Sequence, residues 1–215
     1  MRLDSKVIAI TGGSQGLGRA LAKACCREGA RVAIMGRNAD KLEAVQEEIG
    51  ERVVCFPCDI GDSTEVNNTF KEIGAQMGGL DALVNNAGIY PIFKLETASD
   101  EQLRSVINTN VLGAMYACRE AIPLLKKSKG DIINVSSEAV RFYPPLLSVY
   151  TASKSALEAF SQSLRVELAP SGVRVAALRV GHLLREDPSP LDDETYELMI
   201  KTFEETGFMA STGEG

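Results

Sequence analysis

Short apolar runs alternate along this chain with longer segments whose apolar residues recur at helical spacing. The runs lie at residues 6–10, 31–35, 52–56, 81–85, 131–136 and 173–178. The segments between and after them predict helices near 17–28, 39–49, 63–77, 99–126, 149–169 and 195–206. This alternation is typical of βαβ units, so the sequence predicts an α/β fold with a doubly wound parallel sheet and helices on both faces.

The six runs are apolar at nearly every position, which predicts strands buried on both sides. After Gly181 the pattern weakens, because Pro188 and Pro190 interrupt it and an acidic run follows. We therefore expect one domain, with its core in residues 1–181 and a short segment ending in a flexible tail in residues 182–215. Ligands of such sheets lie beyond the carboxyl ends of the strands.

The composition is that of an ordinary globular protein, and it disfavours nucleic acids and membranes as partners. Of the 215 residues, 45% are hydrophobic and 24% are charged, and the net charge of -6 disfavours nucleic acid as a partner. No stretch approaches the roughly 18 apolar residues that cross a bilayer, so we expect no membrane partner. Five cysteines, and a first apolar run too short for a signal peptide, favour free thiols in the cytoplasm.

A glycine-rich turn, TGGSQGLG at 11–18, joins the first predicted strand to the first predicted helix. Gly12, Gly16 and Gly18 have the spacing G-x3-G-x-G. Glycines let the backbone approach a ligand closely, and a helix N-terminus attracts anions, so the turn predicts a phosphate site. A tight strand-to-helix turn without a ligand is the alternative interpretation.

Tyr150 and Lys154 stand four residues apart in a predicted helix, thirteen residues after Ser137. An i, i+4 pair shares one face of a helix, so we expect the ammonium to lower the pKa of the phenol, ordinarily about 10. Such a phenol is a proton donor suited to a carbonyl oxygen. An amphipathic helix edge with a snorkelling lysine would give the same pattern.

Taken together, TGGSQGLG, NNAG at 85–88, Asn110, Ser137 and YTASK at 150–154 resemble the short-chain dehydrogenase/reductase family over about residues 5–181. The resemblance implies a Rossmann-like core that binds a dinucleotide and transfers hydride between NAD(P)(H) and a ketone or secondary alcohol. It implies Tyr150 as the acid/base, and Ser137, rather than its neighbour Ser136, as donor to the substrate oxygen.

Two further roles in the chemistry follow from the same resemblance. Lys154 would hold the nicotinamide ribose in addition to acting on Tyr150. Asn110 would support a water path to Lys154, although a buried asparagine bonded to a neighbouring strand is an equal alternative.

The implied cofactor contacts are spread over several predicted strand ends. Gly12, Gly16 and Gly18 would line the diphosphate, and Asp59 would hold the adenine unless it is simply a polar strand end. The full set implied is Gly12, Ser14, Gln15, Gly16, Leu17, Gly18, Arg37, Asp59, Ile60, Asn86, Ala87, Gly88, Tyr150, Lys154 and Gly181.

The end of the second predicted strand bears on the choice of cofactor. An acidic residue there would accept hydrogen bonds from the ribose 2′-hydroxyl of NAD(H), but the chain has Gly36 followed by Arg37. A guanidinium can pair with a 2′-phosphate, so we expect NADP(H) in preference to NAD(H). Arg37 as a solvated loop charge is the alternative.

The chain departs from the family pattern after the sixth strand. Val180-Gly181 stands where members usually have Pro-Gly, and Arg185 stands near the place of a Thr, so the contacts of the nicotinamide end are expected to differ. The sequence also ends without the additional strand that commonly completes the family's fold, so it does not identify the substrate.

Other reactive side chains give weaker indications. His182 is the only histidine, so neither a metal centre with several histidines nor a Ser-His-Asp triad is expected. Cys55 and Cys58 form a C-x-x-C without a second pair, and we interpret them as core thiols. An apolar run at 142–146 suggests a wall of the substrate pocket.

The resemblance also implies assembly, because the family pairs the equivalents of helices 99–126 and 149–169 with their copies. A homodimer or homotetramer is expected, with a small carbonyl or alcohol substrate as the other partner. Two alternatives to the redox enzyme remain: a nucleotide-binding regulatory protein with little or no turnover, and a lyase or epimerase that keeps its cofactor.

Overall fold

In the part of the chain that the structure describes, the sheet has six parallel strands in the order β3-β2-β1-β4-β5-β6. A computed structural model of the protein describes residues 2–181 and 192–208. The strands are β1 (Val7–Thr11), β2 (Arg31–Gly36), β3 (Val53–Pro57), β4 (Ala82–Asn85), β5 (Asp131–Ser137) and β6 (Arg174–Val180). The strand order reverses between β1 and β4, which opens a crevice at their carboxyl ends. The predicted doubly wound sheet is confirmed.

The helices lie close to their predicted positions. They are α1 (Gly16–Arg27), α2 (Ala39–Ile49), α3 (Ser63–Met77), α4 (Asp100–Ile107), α5 (Gly113–Ser128), α6 (Ala139–Phe142), α7 (Ser148–Leu168) and α8 (Asp193–Thr206). The single helix predicted over 99–126 is divided, because a π-helical segment, Asn108–Leu112, joins α4 to α5. The short α6 was not predicted.

Two apolar layers cover the two faces of the sheet. One layer joins alternate strand residues such as Ala9 and Leu83 to helices α3, α5 and α7, and the other joins Ile8 and Ile10 to α1 and α2. All five residues of β1 are buried, as the uninterrupted apolar runs predict. The core thus fixes β1 and β4 at the centre of the molecule.

The expectation of burial on both sides is wrong for β6. Val175 is buried towards α7, whereas Ala176 is exposed and Leu178 is 48% exposed. Among the described strands β6 is an edge, and the described helices cover it on only one face. The apolar sequence of β6 therefore does not mean that both of its faces are buried.

Several predictions fall outside the described residues. These concern His182, Arg185, the prolines at 188 and 190, and the flexible tail, so the division at residue 181 stays a prediction. Within residues 2–181 and 192–208, no helix combines the length and the apolarity needed to cross a membrane.

Candidate active site

The turn between β1 and α1 is built by close approaches of its own backbone. A Cβ on Gly18 would collide with the carbonyl oxygen of Gly12, and one on Gly12 would stand 2.9 Å from the Cα of Ala87. Gly12 and Gly16 also have positive φ angles, +67° and +51°, which favour glycine, but at Gly16 nothing lies within 4 Å of the Cβ position. The turn thus leaves open space on the side of Gly16.

The N-terminus of α1 is suited to an anion. Its N-cap, Gln15, makes no side-chain capping bond, and the first turn holds no acidic residue. The next two helices are capped by the side chains of Asn38 and Asp62. The backbone N–H groups of α1 therefore keep their bonding capacity next to the open space at Gly16, and this arrangement fits a diphosphate.

The segment after β4 is tied to the end of β1. The backbone N–H groups of Asn86 and Ala87 both donate to Thr11 Oγ1 at 3.0 Å, and Asn86 Nδ2 donates to Thr11 O at 3.0 Å. This places Ala87 and the exposed Gly88 beside the glycine turn, on the crevice side of the sheet. The predicted cofactor residues of β1 and β4 therefore lie together.

The residues predicted to select the cofactor lie at the end of β2. Arg37 is exposed and forms no ion pair with any residue of the described ranges. A Cβ on Gly36 would lie 3.4 Å from Ser14 Oγ, so this serine of the glycine turn approaches the same strand end. Leu17 packs its half-buried side chain on the apolar layer under α1.

The predicted adenine residues are engaged within the protein itself. Asp59 Oδ1 accepts a hydrogen bond from Gly61 N at 2.9 Å, as a polar strand end would. Ile60 is 8% exposed and packs against Gly113 at the start of α5. Its apolar side chain therefore belongs to the core.

Tyr150 and Ser137 meet at the carboxyl end of β5. Burial raises the pKa of the Tyr150 phenol, and the hydrogen bond from the Ser137 hydroxyl acts in the opposite direction. Ser137 Oγ also accepts from Ala139 N at 3.1 Å, which fixes the hydroxyl. Ser136 faces the other way and donates to Glu158 Oε1 at 2.7 Å, so Ser137 is the serine beside the phenol.

The expected action of Lys154 on Tyr150 is not found. Lys154 Nζ lies 5.8 Å from the centroid of the Tyr150 ring, but burial, not charge, dominates the pKa of the phenol, which is raised. Burial also lowers the pKa of Lys154 to about 8, and Nζ donates to Val135 O at 2.8 Å. The ammonium is thus desolvated and directed to the backbone of β5, which weakens its effect on the phenol.

Asn110 lies in the π-helical segment and is fully bonded to protein. Its Oδ1 accepts from Ile89 N at 2.8 Å, and its Nδ2 donates to Ile89 O at 2.8 Å and to Ser153 Oγ at 3.0 Å. A Cβ on Gly88 would stand 3.3 Å from both Asn110 Oδ1 and Lys154 Nζ. Asn110 therefore neighbours Lys154, while its own bonds hold the loop after β4 and the helix α7.

Sequence reasoning missed three parts of the site. The ring of Tyr90 packs edge-on against Tyr150 with centroids 6.1 Å apart, Ser153 donates to Tyr150 O at 2.6 Å, and Glu158 binds Ser136. Tyr90 is the second residue after NNAG, and Glu158 continues the four-residue spacing of Tyr150 and Lys154. Those two signals could have indicated both residues.

The remaining predicted site residues have ordinary surroundings. Gly181 is exposed and directly follows the end of β6. Cys55 packs towards the α2 side of the sheet and Cys58 towards the α3 side, so the two thiols of the C-x-x-C point away from each other. The described part of the chain contains no group of three or more His, Cys, Asp or Glu side chains placed to hold a metal ion.

Comparison with known proteins identifies the family. The family model described as short chain dehydrogenase matches residues 6–186. The chain belongs to the short-chain dehydrogenase/reductase family. It is an NAD(P)-dependent oxidoreductase of this family, and the predicted membership is confirmed.

Three relatives illustrate the similarity of this short-chain dehydrogenase. It is 36% identical over 190 residues to a 3-oxoacyl-[acyl-carrier-protein] reductase of Bos taurus, covering 88% of the chain and 80% of the relative. It is also 36% identical to a 3beta-hydroxysteroid dehydrogenase of Mediterraneibacter gnavus, covering 82% of the chain and 66% of that protein. A crystal structure of 3-ketoacyl-(acyl-carrier-protein) reductase from Brucella melitensis, complexed with NADH, superposes with a TM-score of 0.81 at 32% identity, covering 83% and 76% of the two chains.

Proposed function

We propose that this protein is an NADP(H)-dependent reductase of a fairly apolar ketone, working through Ser137, Tyr150, Lys154 and Asn110. The observation that carries the proposal is the meeting of the Ser137 hydroxyl and the Tyr150 phenol beside the buried Lys154. The open space at Gly16 and the uncapped start of α1 fit the diphosphate of the cofactor.

Each side chain has a defined task in ketone reduction. The bound nicotinamide supplies the hydride to the carbonyl carbon. Ser137 donates a hydrogen bond to the carbonyl oxygen, where negative charge develops, and Tyr150 delivers the proton that makes the alcohol. Lys154 would hold the nicotinamide ribose of the bound cofactor, and Asn110 keeps the loop after β4 and α7 at a fixed separation.

The test is a panel of ketones with NADPH, comparing the wild type with Tyr150→Phe. We expect the substitution to lower kcat by about 10²-fold or more, because it removes the proton donor, while NADPH binding is kept. Tyr116→Phe, on α5, is the matched control and retains activity. NADPH binding without turnover on any ketone in the wild type contradicts the proposal and favours the regulatory alternative.

The preference for NADP(H) rests on Arg37. Its guanidinium is exposed at the end of β2 and has no carboxylate partner in residues 2–181 and 192–208, so it is available to a 2′-phosphate. The NADH in the Brucella melitensis structure shows that a relative takes the other cofactor.

Arg37→Glu tests this preference directly. We expect the KM for NADPH to rise about tenfold or more, because a charge-assisted bond is lost and a repulsive carboxylate gained, and the KM for NADH to change little. Arg27→Glu, on the exposed end of α1, is the charge-matched control. Equal changes of the two KM values in Arg37→Glu would show that Arg37 does not read the 2′-phosphate.

The substrate class follows from the surface beside Tyr150. Phe142 is 51% exposed and Tyr143 is 70% exposed, and Tyr90 lies against the Tyr150 ring. Aromatic side chains at this end favour an apolar carbon skeleton next to the ketone. The two curated relatives carry names that refer to a 3-oxoacyl group and to a 3β-hydroxysteroid, both of which meet that description.

Assembly and location complete the proposal. Helix α4, the π-helical segment Asn108–Leu112 and helix α7 expose Ile107, Leu112 and Val166 respectively. We infer that two copies pair through the region from α4 to α5 and through α7, as a homodimer or, by further pairing, a homotetramer. The five cysteines are all free thiols, which supports a reducing compartment, the cytoplasm.

A further inference from the structure

Three residues of α7 at four-residue spacing each engage one of three consecutive residues of β5. Tyr150 meets Ser137, Lys154 Nζ donates to Val135 O at 2.8 Å, and Glu158 Oε1 accepts from Ser136 Oγ at 2.7 Å. The first two contacts belong to the catalytic side chains. The third involves no residue that touches substrate or cofactor in the mechanism above.

Glu158 also connects α7 to the last strand. Arg179 Nε donates to Glu158 Oε1 at 2.8 Å, and Arg179 Nη2 donates to Glu158 Oε2 at 2.7 Å. Arg179 stands directly opposite Ser136 in the β5–β6 ladder. One carboxylate therefore binds the carboxyl ends of two strands to the helix that carries Tyr150 and Lys154.

We propose that Glu158 is a positioning residue that sets the distance between the Ser137 hydroxyl and the Tyr150 phenol. This inference rests on the proposed function. Ser137 follows Ser136 by one residue and pairs with Val180, and Glu138 N donates to Val180 O at 3.0 Å. Any shift of α7 along β5 would separate Ser137 from Tyr150. Glu158 opposes such a shift because it bonds Ser136 and Arg179, the residues directly before Ser137 on β5 and before Val180 on β6.

The Glu158–Arg179 ion pair has a geometry that fixes the position of Glu158 in addition to neutralising its charge. The two parallel bonds of a guanidinium fork restrain direction as well as distance, and the Glu158 side chain is only 19% exposed. The Ser136 bond adds a third restraint from a residue that is 2% exposed. A shift of about 1 Å in a reacting group can cost about 10²-fold in rate, so such restraint matters for turnover.

The protein contains a matched pair at the opposite end of the same two strands. Arg174 Nη2 donates to Asp131 Oδ2 at 2.8 Å, and Arg174 Nε lies 2.6 Å from Asp131 Oδ1, which also joins β6 to β5 by two contacts. This pair lies at the amino ends of the strands, away from Ser137 and Tyr150. Loss of this pair therefore shows how much a missing Arg–carboxylate pair between β5 and β6 lowers stability without disturbing the site.

The experiment compares Glu158→Ala with Asp131→Ala in the full chain. We expect Glu158→Ala to lower kcat about tenfold or more with the Kd for NADPH within about twofold of the wild type, because the site is displaced and the diphosphate site is not. We expect Asp131→Ala to keep the kcat of the wild type, although its Tm falls as much as that of Glu158→Ala or more. Unchanged kcat in Glu158→Ala, or losses of kcat in both variants in proportion to their Tm, would overturn the proposal.

A conservative variant separates positioning from folding. Glu158→Gln keeps the side-chain volume and can still bond Ser136, so we expect it to recover kcat to within about threefold of the wild type if hydrogen bonds carry the restraint. If Glu158→Gln is as stable as the wild type but has the low kcat of Glu158→Ala, the conclusion that hydrogen bonds restrain the site is contradicted.

Hydrogen exchange distinguishes failure of this inference from failure of the proposed function. The amide of Ala139 donates to Ser137 Oγ and that of Glu138 donates to Val180 O, so their exchange reports on the serine even without turnover. We expect faster exchange at both amides in Glu158→Ala than in Asp131→Ala. Equal exchange in the two variants overturns the positioning role whether or not the wild type reduces ketones.

Discussion

At the scale of single residues, the site is made from groups that the fold tolerates poorly. Lys154 is 4% exposed, and its amine donates a hydrogen bond to a backbone carbonyl, Val135 O. Burial of a cation without a carboxylate is unfavourable, and it lowers the pKa of this lysine to about 8. The residue that the chemistry needs therefore reduces the stability of the protein without its cofactor.

The stability of the protein should depend on pH through this lysine. Its pKa is about 8 in the folded protein against an ordinary 10.5, so between these values the unfolded chain binds more protons. The free energy of unfolding of the wild type should then rise with pH by about 1–3 kcal/mol relative to Lys154→Met. Urea unfolding across this range measures the difference, with Lys71→Met on α3 as the control. A difference that does not change with pH would contradict the expectation.

Spacing along the chain was enough to find the reactive pair, but not to find its electrostatics. Tyr150 and Lys154 share a helix face because four residues make about one turn, and the sequence shows that directly. The direction of the pKa shift of Tyr150 depends on burial, which the sequence does not show. The Glu158–Arg179 pair joins residues 21 apart in sequence, beyond any local pattern.

At the scale of elements, the connection between α4 and α5 is the least ordinary part of the fold. The π-helical segment Asn108–Leu112 turns Asn110 inward, where it bonds both backbone groups of Ile89. Periodicity predicted one helix over 99–126 because apolar spacing hardly changes when a single turn widens. Ile89, the partner of Asn110, lies in the loop after β4, 21 residues away in sequence.

Removing the Asn110 side chain should loosen that loop. Asn110→Ala loses three hydrogen bonds in a site that is 1% exposed, so we expect the free energy of unfolding to fall by about 2–4 kcal/mol and turnover to fall with it. Asn108→Ala, which loses a single 3.2 Å bond to Gly61 O, should cost about 1 kcal/mol or less. Denaturant unfolding measures both variants. Equal losses in the free energy of unfolding would show that the bonds to Ile89 do not stabilise the protein more than the Asn108 bond does.

At the scale of the whole molecule, the sheet order brings together residues that are far apart in the chain. The glycine turn follows β1, NNAG follows β4, and Ser137 ends β5, so three separate segments meet at one edge of the sheet. Alternation of strands and helices predicted this arrangement well. It did not predict the exposed side of β6, because an apolar run does not reveal which elements cover it.

Assembly is the property of the whole molecule that is most open to test. Val166 is 75% exposed on α7, and Val166→Glu should convert a dimer to monomer at micromolar concentration because it places a charge in the inferred interface. Tyr196→Glu, at an exposed aromatic of α8, is the matched control and should leave the dimer intact. Sedimentation velocity distinguishes the species, and a wild type that sediments only as monomer contradicts the dimer.

The central place of β1 in the sheet has a consequence for synthesis on the ribosome. Its sequence, VIAIT, is wholly apolar apart from its last residue, and its two neighbours are β2 and β4. A nascent chain can pair β1 with β2 early, but the other edge of β1 stays open until the residues from Ala82 onward emerge. An open apolar edge recruits foreign strands, so translation of α2, β3 and α3 is the interval in which protection by a chaperone matters most.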